Sequence, residues 1–175
     1  MSTTAGDQTG GLLSELDRHH LRRCVELATE ALNDGDEPFG SVLVDATGQV
    51  LFEDRNRVKD GDHTRHPELE IAKWAAVQLS PAQRAASAVY TSGEHCPMCA
   101  AAHAWVGLGP IIYASSGAQL QEWLAEWGAE PGPVAQLPIS VVAPSVPVRG
   151  PFVEFTEQIR DLQYRSFLQR TESSA

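Results

Sequence analysis

Two prolines constrain this chain more than any other feature. Pro67 and Pro97 each stand just inside the start of a helical pattern and each follows a side chain able to bind a metal, in His66-Pro67-Glu68 and Cys96-Pro97-Met98-Cys99. Proline at the first helical position gives up an N–H that would have no acceptor within the helix, so both mark helix starts, with His66 and Cys96 at or just before them. With 29 residues between His66 and Cys96, the fold must bring two helix N-termini to one point.

The rest of the chain supplies a frame for that. Leu12, Leu16, His20, Val25, Leu27, Ala28, Ala31 and Leu32 recur at roughly helical spacing until Asn33-Asp34-Gly35-Asp36 ends the run. Phe39 to Asp45 and Val50 to Val58 are β-rich runs joined by Ala46-Thr47-Gly48-Gln49, which reads as a hairpin. Ile71, Trp74, Ala75 and Leu79 stripe a helix over Pro67 to Leu79, and Ala88 to Thr91 is a short strand. Cys96 to Gly107 reads as a helix, Ile111-Ile112-Tyr113 as a buried strand, and Leu120, Trp123, Leu124 and Trp127 as a further helical stripe. Ile139-Ser140-Val141-Val142 reads as a fifth strand and Phe155 to Leu168 as a last helix. The order α-β-β-α-β-α-β-α-β-α predicts an α/β fold, a three-layer α/β/α sandwich with a central mixed five-stranded sheet.

Residues 1–11, small and polar, read as a flexible N-terminal tail, and 12–175 as a single domain, because 175 residues leave little room for a second core. Met1 to Gly11 lacks the basic and apolar parts of a secretion signal, and no run of about 18 apolar residues suggests a membrane span. Two of the three cysteines, Cys96 and Cys99, form a C-x-x-C pair beside a lone Cys24. That count argues for metal or redox chemistry and a reducing cytoplasm, not a disulfide framework. Acidic side chains outnumber basic ones 23 to 13, a net charge of -10, so phosphate backbones are repelled and nucleic acid is disfavoured as a partner. Arg55, Arg57, Lys59 and Arg65 form a local basic cluster, which reads as ordinary surface charge.

Three apart on a helix, Cys96 and Cys99 share a face, and a helix N-terminus favours their thiolates. Two thiolates and the His66 imidazole make a zinc set with a fourth position open, where zinc lowers the pKa of water to about 7. Glu68, two residues from His66, is turned away from the ligand direction on a helix. There it can move protons as a general acid/base. The competing reading is a closed structural zinc site completed by His103, four residues after Cys99 on the same face.

These segments resemble the cytidine deaminase superfamily, whose signature is H-x-E followed by P-C-x-x-C. Pro38-Phe39-Gly40-Ser41-Val42-Leu43-Val44 resembles the first strand of its guanine and transfer RNA adenosine deaminases, with Phe39 leaning toward the guanine type. Asn56 matches their base-contacting asparagine, and Asp62 to His66 resembles their loop into the motif helix. The resemblance covers roughly Phe39 to Tyr113. It implies zinc on His66, Cys96 and Cys99, Glu68 as the catalytic residue, and Asn56 and Phe39 at the substrate, a small nucleobase-like ring hydrolysed with water. It also implies a homodimer.

Two departures stand out. Pro67 replaces a residue whose N–H can donate to the base, and His95 replaces the usual proline before the first cysteine, putting an imidazole beside a ligand. Both are read as substrate-facing, with His95 not a ligand. Cys24 reads as a buried apolar group, Trp74 as core, and Trp123 and Trp127 as core or subunit contacts, with a pocket wall as the alternative. His19, His20 and His63 read as surface or loop residues. Phe152, Glu154 and Phe155 are candidates to close over the site. The alternatives to a free-base deaminase are a transfer RNA adenosine deaminase and a noncatalytic zinc-stabilised binding protein.

Overall fold

A computed structural model describes residues 12–173; the expected N-terminal tail lies outside them. The elements run α1 (Glu15–Asn33), β1 (Gly40–Val44), β2 (Val50–Arg55), α2 (Pro67–Gln78), α3 (Pro81–Ala86), β3 (Ala88–Gly93), α4 (Pro97–Val106), β4 (Ile111–Ser115), α5 (Gly117–Glu126), α6 (Ile139–Val142), β5 (Val148–Arg149) and α7 (Val153–Ser173). The five strands form one mixed sheet in the order β2-β1-β3-β4-β5. β1 is antiparallel to both β2 and β3, while β3, β4 and β5 run parallel.

Alternation along the central strands produces the layers, since neighbouring side chains point to opposite faces. Val42, Val44, Tyr90, Ile112 and Ala114 pack against residues of α1, α5 and α7. Leu43 and Val89 meet Ile71, Ala72 and Ala75 of α2, and Ile111 and Tyr113 meet Ala100 of α4 and Ile139 of α6. The sheet is thus covered on both faces, as the alternation predicted. Gly40 lets β1 and α1 close together, because a Cβ there would overlap the Leu27 side chain and the Cys24 carbonyl.

The fifth strand is elsewhere than expected. Ile139–Val142 is the short helix α6, and the strand is Val148–Arg149 beside β4. Four β-branched or small residues carry no period long enough to separate strand from helix, and Pro138 at the N-cap favours the helical turn. α3 was not anticipated, although Ser80 and Gln83 form a capping box. His20 is buried against the Tyr90 ring, centroids 4.9 Å apart, and is not a surface residue. Cys24 is fully buried, and Trp74 is half-buried, stacked on Phe52.

Asp17 ties α1 to the sheet. It accepts from the Tyr90 hydroxyl at 2.8 Å, the Ser14 N–H at 3.0 Å and Arg149 at 3.2 Å. Burial pushes its carboxyl up, but the Ser14 N–H, the Tyr90 hydroxyl and Arg149 together hold it below the usual carboxylate range. A lowered folded-state pKa means stability that is present above the unfolded value of about 3.9 and lost as pH falls through the folded value. Asp17→Asn is therefore expected to destabilise the protein at pH 7, with the gap to wild type closing in acid; urea melts at both pH values check it.

Candidate active site

The helix starts promised by Pro67 and Pro97 meet at the carboxyl end of β3. His66 is the N-cap of α2 and Cys96 the N-cap of α4, each with proline following, and neither side chain caps its helix. The contrast is informative, since α1, α3 and α5 all begin with a reciprocal capping box. At α2 and α4 the side chains are committed to each other instead. His66 Nδ1 lies 3.6 Å from both Cys96 Sγ and Cys99 Sγ, and the three donor atoms lie within 4.8 Å of one another.

This geometry fits zinc. Zinc–sulfur bonds of about 2.3 Å and zinc–nitrogen bonds of about 2.0–2.1 Å in a tetrahedron require sulfur–nitrogen edges of about 3.6 Å. The proton distribution fits as well. The Cys99 thiol, with His66 adding to it against the effect of burial, holds Cys96 down at about 4, while Cys96 and burial push Cys99 well up. Cys96 in turn raises the His66 imidazole to about 9. A thiolate flanked by groups that hold protons is an arrangement a divalent cation can replace. Among the described residues no fourth His, Cys or carboxylate joins the group. His103, the candidate for a closed site, instead pairs its Nε2 with the Gly109 carbonyl at 2.8 Å.

Glu68, in the first turn of α2, is 5% exposed. Its Oε1 accepts from the Ser41 and Thr91 hydroxyls, each at 2.9 Å. Burial pushes its carboxyl up, against the pull of His66 and these hydroxyls. Phe39, His66, Glu68 and Cys96 line one end of a cavity of about 1150 Å³. Leu120 and Trp123 of α5 and Gln163 and Phe167 of α7 line the rest. The C-terminal helix therefore walls the cavity, but through residues later than expected: Phe152 and Phe155 are in the core, and Glu154 is paired with Arg18. Trp123 is both core and wall, while Trp127 packs on Tyr164 and Phe167.

Asn56, Pro67 and His95 lie outside the lining. Asn56 is fully buried; its N–H donates to the carbonyl of Phe39, its Oδ1 accepts from Val58, and its Nδ2 has no partner among the described residues. His95 is buried edge-on to His103. Burial, with His103 and His66 nearby, holds its imidazole well below the usual range.

Sequence reasoning overlooked Glu94. Its carboxylate accepts from Gly117 N at 2.9 Å and Ile139 N at 3.0 Å, the first residues of α5 and α6. One acidic side chain thus satisfies two helix N-termini and ties the 116–139 wall to the strand that leads into the site. Glu94→Ala is expected to cost about 1–3 kcal/mol and to raise KM more than it lowers kcat, checked by melting and steady-state kinetics. Three members of the basic cluster are ion-paired locally: Arg55 and Lys59 pair with Asp34, Arg55 also with Asp36, and Arg57 with Asp54.

His66, Cys96 and Cys99 thus form a group able to hold a metal ion at two helix starts, with the buried Glu68 carboxylate on the same cavity. The chain belongs to the cytidine deaminase superfamily, since residues 14–115 match the cytidine and deoxycytidylate deaminase zinc-binding region. A probable cytosine deaminase of Schizosaccharomyces pombe is 31% identical over 144 residues, covering 81% of this chain and 88% of that protein. The guanine deaminase of Bacillus subtilis is 37% identical over 97 residues, 54% of this chain and 62% of that protein, so the match spans under two thirds of its length. The solved structure of guanine deaminase from Nitrosomonas europaea aligns with a TM-score of 0.58 at 20% identity, over 94% of this chain and 87% of that one, and shares the fold.

Proposed function

We propose that the protein is a zinc-dependent hydrolytic deaminase of a free nucleobase or base analogue, guanine-like rings first and cytosine- or triazine-like rings second. The observation that carries this reading is the buried, hydroxyl-braced Glu68 beside the His66-Cys96-Cys99 group on the lining of the cavity. When bound by those three residues, zinc supplies a Lewis acid that lowers the pKa of water to about 7. Glu68 takes one proton from the attacking water and passes it to the ring nitrogen, then takes the second from the hydroxyl added at the ring carbon and gives it to the amine as the C–N bond breaks and the carbonyl forms. Water and an aminated ring carbon thus become a carbonyl and ammonia. Phe39 contacts the ring, and Asn56 orients it through the amide nitrogen that lacks a partner among the described residues. Pro67 and His95 shape the site from behind the lining. The acidic net charge and the ion-paired arginines weigh against transfer RNA.

The reading extends to a homodimer in the cytoplasm; Trp105 on α4, 89% exposed, and Val77 on α2 offer apolar surface for the contact. The test of function is ammonia release by zinc-loaded protein against guanine, cytosine, adenine, their nucleosides, triazines and transfer RNA. Turnover of a free base supports the reading. Turnover of transfer RNA alone overturns it, and silence on the whole panel with zinc at full occupancy favours a noncatalytic zinc protein.

A further inference from the structure

The general acid/base of a deaminase has to hold one carboxylate oxygen in line with water and ring, yet a glutamate side chain has three rotatable bonds. Here two strands restrict it. Ser41 and Thr91 are register partners on antiparallel β1 and β3, on the face of the sheet that turns Leu43 and Val89 toward α2. Both are fully buried. The neighbouring positions on that face are filled by Leu43 and Val89, whereas these two carry hydroxyls, and both converge on one atom, Glu68 Oε1, at 2.9 Å each. The hydroxyls are also 2.9 Å from each other, and Thr91 reaches the Gly93 carbonyl at 3.0 Å. Each has a single hydrogen to give, so each keeps an acceptor at either end of a proton transfer.

We infer that Ser41 and Thr91 are positioning residues that anchor Oε1 of Glu68, so that the other oxygen, Oε2, is the one that carries protons. This rests on the catalytic role proposed for Glu68. A buried carboxylate held by two donors from adjacent strands loses its rotational freedom without help from the cavity side. Both donors come from the sheet, the most constrained part of the fold, so the anchor is in place before any ring binds.

The test uses Ser41→Ala, Thr91→Val, the double variant and Thr91→Ser, all zinc-loaded, with zinc content and melting temperature measured first. Thr91→Val keeps the side-chain shape, and Thr91→Ser keeps the hydroxyl. On whichever base the wild type converts, Ser41→Ala and Thr91→Val are expected to lose roughly tenfold or more in kcat with little change in KM, as for a lost hydrogen bond to a charged group. Thr91→Ser should recover most of that loss. The crystal structure of the double variant should show the Glu68 carboxylate displaced from its wild-type position. Wild-type kcat in the double variant, a loss confined to KM, or an unmoved Glu68 overturns the inference. If wild type converts no base, the proposed function fails, and the carboxylate position in the double-variant crystal still decides this inference.

Discussion

Glu68→Gln is expected to fold, to bind zinc as wild type does, and to convert base about a hundredfold to ten-thousandfold more slowly. Glutamine is nearly the same shape, and its amide oxygen can still accept from Ser41 and Thr91 at the position of Oε1. What changes is the other terminal atom, which becomes an NH2 unable to shuttle protons. Removing a buried charge should not destabilise the fold, because burial already works against the ionised form. Zinc content by metal analysis and a melting curve separate this result from misfolding. Turnover close to wild type would sink the mechanism.

Cys99→Ser is expected to abolish stable zinc binding and activity together. Cys99 is fully buried and one of only three donors in the group, so no spare ligand among the described residues takes its place. A ligand that binds only the folded state stabilises it by about 4 kcal/mol at a thousand times its dissociation constant. Chelation should therefore lower the melting temperature of the wild type and leave Cys99→Ser unmoved, and added zinc should raise the first and not the second. A Cys99→Ser protein that keeps one zinc per chain and resists chelation would mean the metal lies elsewhere.

Much of the site could be read along the chain because its signals are local. Pro67 and Pro97 lock helix starts through their own φ angles, so His66 and Cys96 could be placed at N-caps before any tertiary contact was known. The i, i+3 spacing of Cys96 and Cys99 needs only a helix to bring the thiols together. The layers followed from the order of the elements, helices alternating with strands, and β1, β3 and β4 are accordingly buried on both faces. The fifth strand could not be read in the same way: Val148–Arg149 is too short to carry a period, and Ile139–Val142 has the composition of a strand but begins where Glu94 and Pro138 favour a helical turn.

The sequence by itself determined the candidate metal donors, the carboxylate proposed as acid/base and the class of fold, because each depends on residue type and on spacings within a turn or two. The tertiary structure alone decided what surrounds them. Ser41 meets Thr91 only because β1 and β3 pair antiparallel in one register, and a slip of either strand by one residue would put the two hydroxyls on opposite faces of the sheet. Glu94 joins two helix starts through contacts 23 and 45 residues away. Gln163 and Phe167 reach the cavity only because α7 packs across α5. Such contacts depend on the relative placement of whole elements, which packing of the apolar faces sets and which no local pattern encodes.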